Sequence, residues 1–480
     1  MSKQPASRST LFDLTGAAAL RHMRAGTLTA EVYTATLLSR YERVARANAL
    51  TWFDGEKALQ QARNIDRSRA MGQPVGSLAG LPIVVKDNID TVGFPTSAGT
   101  RILQDNFPQE DAPVVRALLD QGAILLAKTN MHEVAGGGTS NNPVFGPARN
   151  PYDARRVAGG SSGGTASAIA LRFASAGLGT DTAGSVRIPA ASCGIAGLRP
   201  STQGRQAYSQ EGLVPLALNL DTIGPMGRCV EDVALLHAVI AAEPQTAAIP
   251  LTGVKLGLPK QLYWEGLDAA TEAIAREALR KLEYAGVQFV EVDISSYIEE
   301  TQQVFEALLT SGVQGDLDRY FHDNGKPYTR AGVVAQIASR DTRHMFESAT
   351  DFSPALGMEK IHGARARLIQ KYHETLLSAG VPALCFPTLP LPAPQIRAGG
   401  DAPDDTIDLA GTQVSEILIL IRNTSPACAL GAPALSFPAG LTQDGLPVGL
   451  ELEGLAGHDS RVLGLGLSCE RVLGRLPSPE

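Results

Sequence analysis

The sequence has no excess of positive charge: 42 Lys and Arg stand against 49 Asp and Glu, for a formal net charge of −7. That balance argues against a general binder of nucleic acid or of anionic membrane surfaces, which would carry a basic excess. No uninterrupted apolar run reaches about 18 residues, the length that reads as a membrane span. The opening segment, MSKQPASRSTLFDLTG, lacks the continuous apolar core of a secretory signal. Cysteine is scarce. Cys193, Cys229, Cys385, Cys428 and Cys469 are scattered without a CxxC pair, as expected of reduced, buried thiols in a cytoplasmic protein. The eight histidines include no HxxxH pair, and His132-Glu133 runs into Val-Ala-Gly, so no metal is expected. No repeat and no dividing linker interrupts the 480 residues, which predicts a single domain over 1–480.

What is present is an alternation of helix and strand. Residues 10–48 read as helical, with Thr29 as an N-cap, Glu31 in the first turn, and Tyr33, Leu37, Tyr41 and Val44 on one face. A second helix is expected over 55–69. Gly80-Leu-Pro-Ile-Val-Val-Lys86 is a continuous apolar run suited to a strand buried on both faces, and a lysine at its end calls for a partner or a task. Residues 113–121 read as helix and 123–128 as another buried strand. The alternation continues to about residue 240 and predicts an α/β sheet with helices on its faces. Further on, 254–258 and 287–292 read as strands flanking a helix over 269–285. Residues 297–378 form a more polar helical segment, 381–390 a strand running into a proline-rich turn, and 400–406 an exposed loop. Residues 434–440 and 446–452 close the chain as a pair of strands.

The stretch 157–199, VAGGSSGGTASAIALRFASAGLGTDTAGSVRIPAASCGIAGLR, organises the rest. Two turns in it carry serines: Gly159-Gly-Ser161-Ser162-Gly-Gly164 and Asp181-Thr-Ala-Gly-Ser185. A buried helix and a short strand are expected between them, with Ile169, Leu171, Phe173 and Leu178 at core-like spacing. Glycines around a serine let backbone N–H groups approach a reacting atom, as an oxyanion hole requires. A phosphate loop does not fit, because Thr165 stands where the lysine of that motif belongs. A nucleophile elbow fits G-x-S-x-G through Ser161 or Ser162, but the approach, 150–156, reads as a loop and not as the strand an elbow needs.

The two serine turns together with Lys86 resemble the amidase signature family, marked by a GGSSGG turn followed by D-T-x-G-S-x-R-x-P. The resemblance extends from about residue 60 to the end and includes Lys128-Thr-Asn, Gly194-Ile-Ala-Gly-Leu-Arg-Pro and the Leu446-Pro-Val-Gly block. It implies a large twisted mixed β-sheet covered by helices on both faces. Residues 1–70 would be an N-terminal helical portion, 75–235 the signature core and 297–378 a more variable helical segment. It also implies Ser185 as nucleophile, Lys86 as base and Ser161 as the bridge between them, with a cis peptide before Ser161. The N–H groups of Thr182, Ala183, Gly184 and Ser185 would hold the oxyanion. The second turn departs from the usual T-G-G-S at Ala183, which keeps its N–H unless the position demands positive φ. A serine hydroxyl needs a base within reach, and a lysine serves only if burial lowers its pKa. The other role open to Lys86 is an ion pair with Asp87 or Asp90. Asp181, Arg187 and Ser162 are expected to hold the turns, and Cys193, His132 and the later histidines to be ordinary packing or surface residues.

Lys128-Thr-Asn-Met-His-Glu, Ser185-Val-Arg-Ile-Pro-Ala-Ala and Asp221-Thr-Ile-Gly-Pro-Met are similar to the indoleacetamide and mandelamide hydrolase branch. This implies hydrolysis of small neutral, aryl-containing amides, without cofactor. A carbamate-cleaving urethanase of broad specificity and a glutaminase subunit of a tRNA-dependent amidotransferase are the alternatives. Homodimers are common in such a family. Gly136-Gly137-Gly138, followed by Thr139, suggests a widened acyl pocket, and Arg205 and Tyr208 are candidate substrate contacts on a loop over the site, 203–214.

Overall fold

The computed structural model describes residues 11–203, 207–349 and 354–479. Its centre is one mixed sheet of eleven strands. In chain order the strands are β1 (Leu50–Phe53), β2 (Pro82–Lys86), β3 (Ile124–Thr129), the short β4 (Asn141–Asn142) and β5 (Gly146–Pro147), β6 (Ala176–Asp181), β7 (Ala196–Arg199), β8 (Thr222–Gly227), β9 (Lys255–Pro259), β10 (Gln288–Val292), β11 (Ala383–Pro387), β12 (Thr406–Leu409), β13 (Thr412–Ser415), β14 (Ala434–Leu441) and β15 (Pro447–Gly454). The large sheet runs β1-β3-β2-β6-β8-β7-β14-β15-β11-β9-β10, while β4 with β5 and β12 with β13 form separate two-stranded ribbons. Parallel pairs (β3-β2-β6 and β11-β9-β10) flank an antiparallel middle.

The helices are α1 (Gly16–Arg24), α2 (Ala30–Leu38), α3 (Tyr41–Arg46), α4 (Gly55–Ala70), α5 (Pro113–Asp120), α6 (Gly163–Ala170), α7 (Arg187–Cys193), α8 (Val230–Ile240), α9 (Ala269–Tyr284), α10 (Ile298–Asp323), α11 (Arg330–Val334), α12 (Arg340–Ser348), α13 (Pro354–Ala379), α14 (Glu416–Ile421), α15 (Ser425–Leu430) and α16 (Asp459–Leu473). Thr29 caps α2 as expected, its side chain accepting from Val32 N–H. Among the described residues the predicted 10–48 helix is broken into shorter ones, α1, α2 and α3 among them, and Tyr41 is turned outward to stack on Phe53. No helix among the described residues is long and apolar enough to cross a membrane.

The sheet is covered on both faces because successive side chains of its strands point opposite ways. In β2, Ile83 and Val85 enter a cluster with Val115, Leu118 and Leu236 of α5 and α8. Val84 enters the opposite cluster with Tyr33, Leu37, Ile169 and Phe173. Each such apolar side chain contributes about 1.5–3 kcal/mol on burial. The same division recurs in the second half, where Leu450 and Leu452 pack under α9 and α16, and Leu384 and Phe386 under α10 and α13. The polar ends of β2 and β6, neighbours in parallel, are thereby held side by side in the interior.

Candidate active site

β2 ends on Lys86 and its parallel neighbour β6 on Thr180 and Asp181, so strand pairing alone brings these side chains together. Lys86 is fully buried; its Nζ lies 2.7 Å from Ser161 Oγ and 2.7 Å from Thr180 Oγ1. Among the described residues no carboxylate lies within ion-pair distance of Lys86. Asp87 is engaged by Ser97 and by Lys128, 3.7 Å away, and Asp90 by Tyr320, which removes both partners considered for Lys86. Burial pushes the Lys86 ammonium down to about 7, and the fields of Asp221 and Asp181 only partly oppose it.

Gly160–Ser161 is a cis peptide. The GGSSGG turn is fastened to β6 at Ser162, which donates to Thr180 O and accepts from Thr180 N–H, both at 3.2 Å. It is fastened to the second turn by Ser162 N–H on Ser185 O, 3.2 Å. The two serine turns therefore meet, with α6 leaving from the first and α7 from the second.

Asp181 shapes the second turn. Its carboxylate accepts from Gly184 N–H at 3.1 Å and Val186 N–H at 3.2 Å. It also takes Arg187 and Arg199, whose positive charge outweighs burial and holds the carboxyl far below its ordinary range. Arg187 continues to Glu451 of β15 at 2.5 Å. Burial raises Glu451 to about 7 despite that pairing. The expected oxyanion set is corrected at one position, since the Gly184 amide is directed at Asp181. Among the described residues the amides of Thr182, Ala183 and Ser185 have no hydrogen-bond partner within the chain. Ala183 is not in the left-handed region, so alanine is accommodated there, whereas Gly184 has φ +128° and a Cβ on it would fall 2.1 Å from Thr424 Oγ1. Thr424 Oγ1 itself donates to Ala183 O at 2.5 Å.

Other expected site residues are placed differently. The room left by the glycine run is taken up by neighbours: a Cβ on Gly136 would meet Thr342, one on Gly137 the His132 ring, and one on Gly138 Leu420 and Ile417. The run lies against Gly160 of the first serine turn and admits side chains of α12 and α14 where its own would stand. Thr139 is buried, with its hydroxyl donated to Asp401 and accepting from Asn141 N–H. Tyr208 is a core residue. Its ring packs with Ile83, Val85 and Leu178, and its hydroxyl is hydrogen-bonded to His237 Nδ1 at 2.8 Å. Arg205 lies outside the described residues. Cys193 is buried, its thiol donating to Ala158 O and raised by burial. His132, expected as an ordinary residue, is fully buried, donates its backbone N–H to Ser161 O at 3.1 Å, and turns its ring toward Asp341 and Asp401. Among the described residues, His132, Asp341 and Asp401 are a group of ligating side chains spaced closely enough to hold a metal ion. Sequence reading also missed Thr180, Asp221 (which takes the Thr182 hydroxyl), Thr424 and Glu451. Buried polar residues in elements distant along the chain leave no local signature.

Around the second turn, Ile188, Ala191, Leu389 and Leu420 form one apolar cluster with Ile421 against it. The arrangement is a buried amine beside a serine hydroxyl, a second serine in a turn with free amides, and an uncharged wall.

A family model described as "Amidase" matches residues 33–463. The indoleacetamide hydrolase of Agrobacterium vitis is 36% identical over 442 residues, covering 91% of this chain and 92% of its own. The mandelamide hydrolase of Pseudomonas putida is 36% identical over 486 residues, covering 97% and 92%. Among solved structures, the native peptide amidase from Stenotrophomonas maltophilia superposes with a TM-score of 0.83 at 28% identity, over 98% of each chain.

Proposed function

Since the chain belongs to the amidase family, we propose that it is a serine hydrolase cleaving the C–N bond of small neutral, aryl-containing amides through an acyl-enzyme on Ser185. The observation that carries this reading is the 2.7 Å approach of a buried, carboxylate-free Lys86 to Ser161 Oγ. A neutral lysine amine has two N–H bonds and one lone pair. Thr180 Oγ1 takes one N–H, and the lone pair accepts the Ser161 proton as Ser161 in turn accepts that of Ser185. Ser185 Oγ then adds to the carbonyl carbon. The developing oxyanion is held by the amides of Thr182, Ala183 and Ser185, fixed beforehand by Asp181 and Thr424. The proton returns through Ser161 to the departing amine, the C–N bond breaks, and water repeats the sequence to release the acid.

The identity to indoleacetamide and mandelamide hydrolases and the apolar wall of Ile188, Leu389 and Leu420 support an aryl acyl group. A carbamate carbonyl meets the same groups. Matched aryl amides, anilides and carbamates assayed beside Ser185→Ala test the reading. Faster turnover of primary aryl amides is expected, comparable carbamate cleavage would make the protein a urethanase, and full activity in Ser185→Ala would refute the triad.

A further inference from the structure

We propose that His132, Asp341 and Asp401 form a divalent-cation site that fastens α12 and the 399–405 loop to the backbone behind Ser161. One ligating atom from each of the three lies within 4.8 Å of the others. His132 is in the loop after β3, Asp341 in the first turn of α12, and Asp401 in the loop before β12. An ion seated about 2.0–2.2 Å from each atom draws them together by on the order of 1 Å, within the reach of carboxylate rotation.

The hydrogen bonds around the imidazole prepare it as a ligand. Thr139 Oγ1 donates its proton to Asp401 and accepts from Asn141 N–H at 3.1 Å. Its contact with His132 Nδ1, 3.3 Å, is therefore one in which Nδ1–H is the donor. That leaves Nε2 3.2 Å from Asp341 Oδ2, where a cation takes the place of the ring proton that Nε2 donates to this carboxylate, the arrangement in which a histidine bound to metal through one nitrogen is oriented through the other. The ring is held in place by Gly137, where a Cβ would stand 2.3–2.6 Å from Cε1, Nε2 and Nδ1. Asn141 Nδ2 orients Asp401 through Oδ1 at 2.8 Å, and Thr342 N–H orients Asp341 through Oδ1 at 2.7 Å.

Once the Nε2 proton is displaced, a neutral imidazole and two carboxylates carry −2, which one divalent cation cancels, and buried charge is costly unless compensated. One nitrogen and carboxylate oxygens suit zinc and its first-row neighbours.

The test is calorimetric titration of Zn2+ into the full-length protein after chelator treatment and dialysis, with Co2+ absorption as a second readout. One equivalent is expected to bind, with Asp341→Asn and Asp401→Asn each weakening it at least about tenfold and Thr139→Val weakening it about 10–100-fold through loss of the bond that orients the ring. The isosteric Asp→Asn and Thr→Val changes preserve the packing, and circular dichroism checks that each variant is folded. Absence of saturable binding by the wild type, or unchanged affinity in folded Asp341→Asn and Asp401→Asn, overturns the site. Binding is read without turnover, so this outcome is separate from that of the substrate assays.

Discussion

Raising the pH from 6 to 8 is expected to increase kcat/KM for an aryl amide about tenfold, after which the rate levels. Only the neutral amine of Lys86 accepts a proton, and with its pKa lowered to about 7 the neutral fraction rises from about 0.09 to about 0.91 over that interval. At the ordinary lysine value of 10.5 the fraction at pH 8 would be about 0.003, and the rate would climb about tenfold per unit through pH 10. The two profiles differ in shape, so initial rates at low substrate concentration in buffers of constant ionic strength from pH 5 to 10 separate them. Lys86→Ala is expected to lose about 10²–10⁴-fold and the rising limb with it. Stability carries the same signature. Between the folded value of about 7 and the unfolded one the native state binds fewer protons, so stability rises with pH across that window. Below it the buried ammonium costs on the order of 5 kcal/mol, and Lys86→Met is expected to flatten the trend in urea unfolding. A rate that is level from pH 5 to 8, or that still climbs steeply above pH 9, would refute the assignment of Lys86 as a neutral base.

Ser185→Ala is expected to lose at least about 10⁴-fold in kcat with its fold intact, and a fluorophosphonate should add to the wild type at Ser185 and not to the variant, as read by peptide mass spectrometry. Gly184→Ala places a Cβ against Thr424 at positive φ and is expected to lower stability by more than about 1 kcal/mol and to depress kcat, measured by thermal unfolding and initial rates. Asp181→Asn leaves Arg187 and Arg199 undercompensated in the interior and is expected to cost about 3–5 kcal/mol, measured by denaturant titration. Tyr208→Phe is expected to lower stability by about 1 kcal/mol through loss of the bond to His237 while leaving KM unchanged, which a substrate-contacting Tyr208 would not.

Elements with a strong local pattern were legible. The apolar runs gave β2 and β3 to within two residues, the cap at Thr29 gave the start of α2, and the helix expected over 269–285 is α9 to within one residue. β1 is a four-residue edge strand, and the β12-β13 ribbon is short and largely exposed, so neither has an alternation long enough to read. The lysine and the two serines were legible because strand ends and glycine turns announce themselves locally. What surrounds them was not, since Glu451, Thr424, Asp341 and Asp401 reach the site from far along the chain. Gly136–Gly138 misled for a related reason. A missing side chain signals room, and only packing says whether a neighbour such as His132 or Leu420 has filled it.

The contact from Arg187 to Glu451 also closes late in synthesis. The turn bearing Ser185 leaves the ribosome early, but the carboxylate that completes its clamp lies 264 positions later. At about 5–20 residues per second that interval lasts about 13–50 s. A nascent chain therefore lacks the carboxylate partner of Arg187 while most of it has already been made, and a product truncated before β15 lacks it permanently.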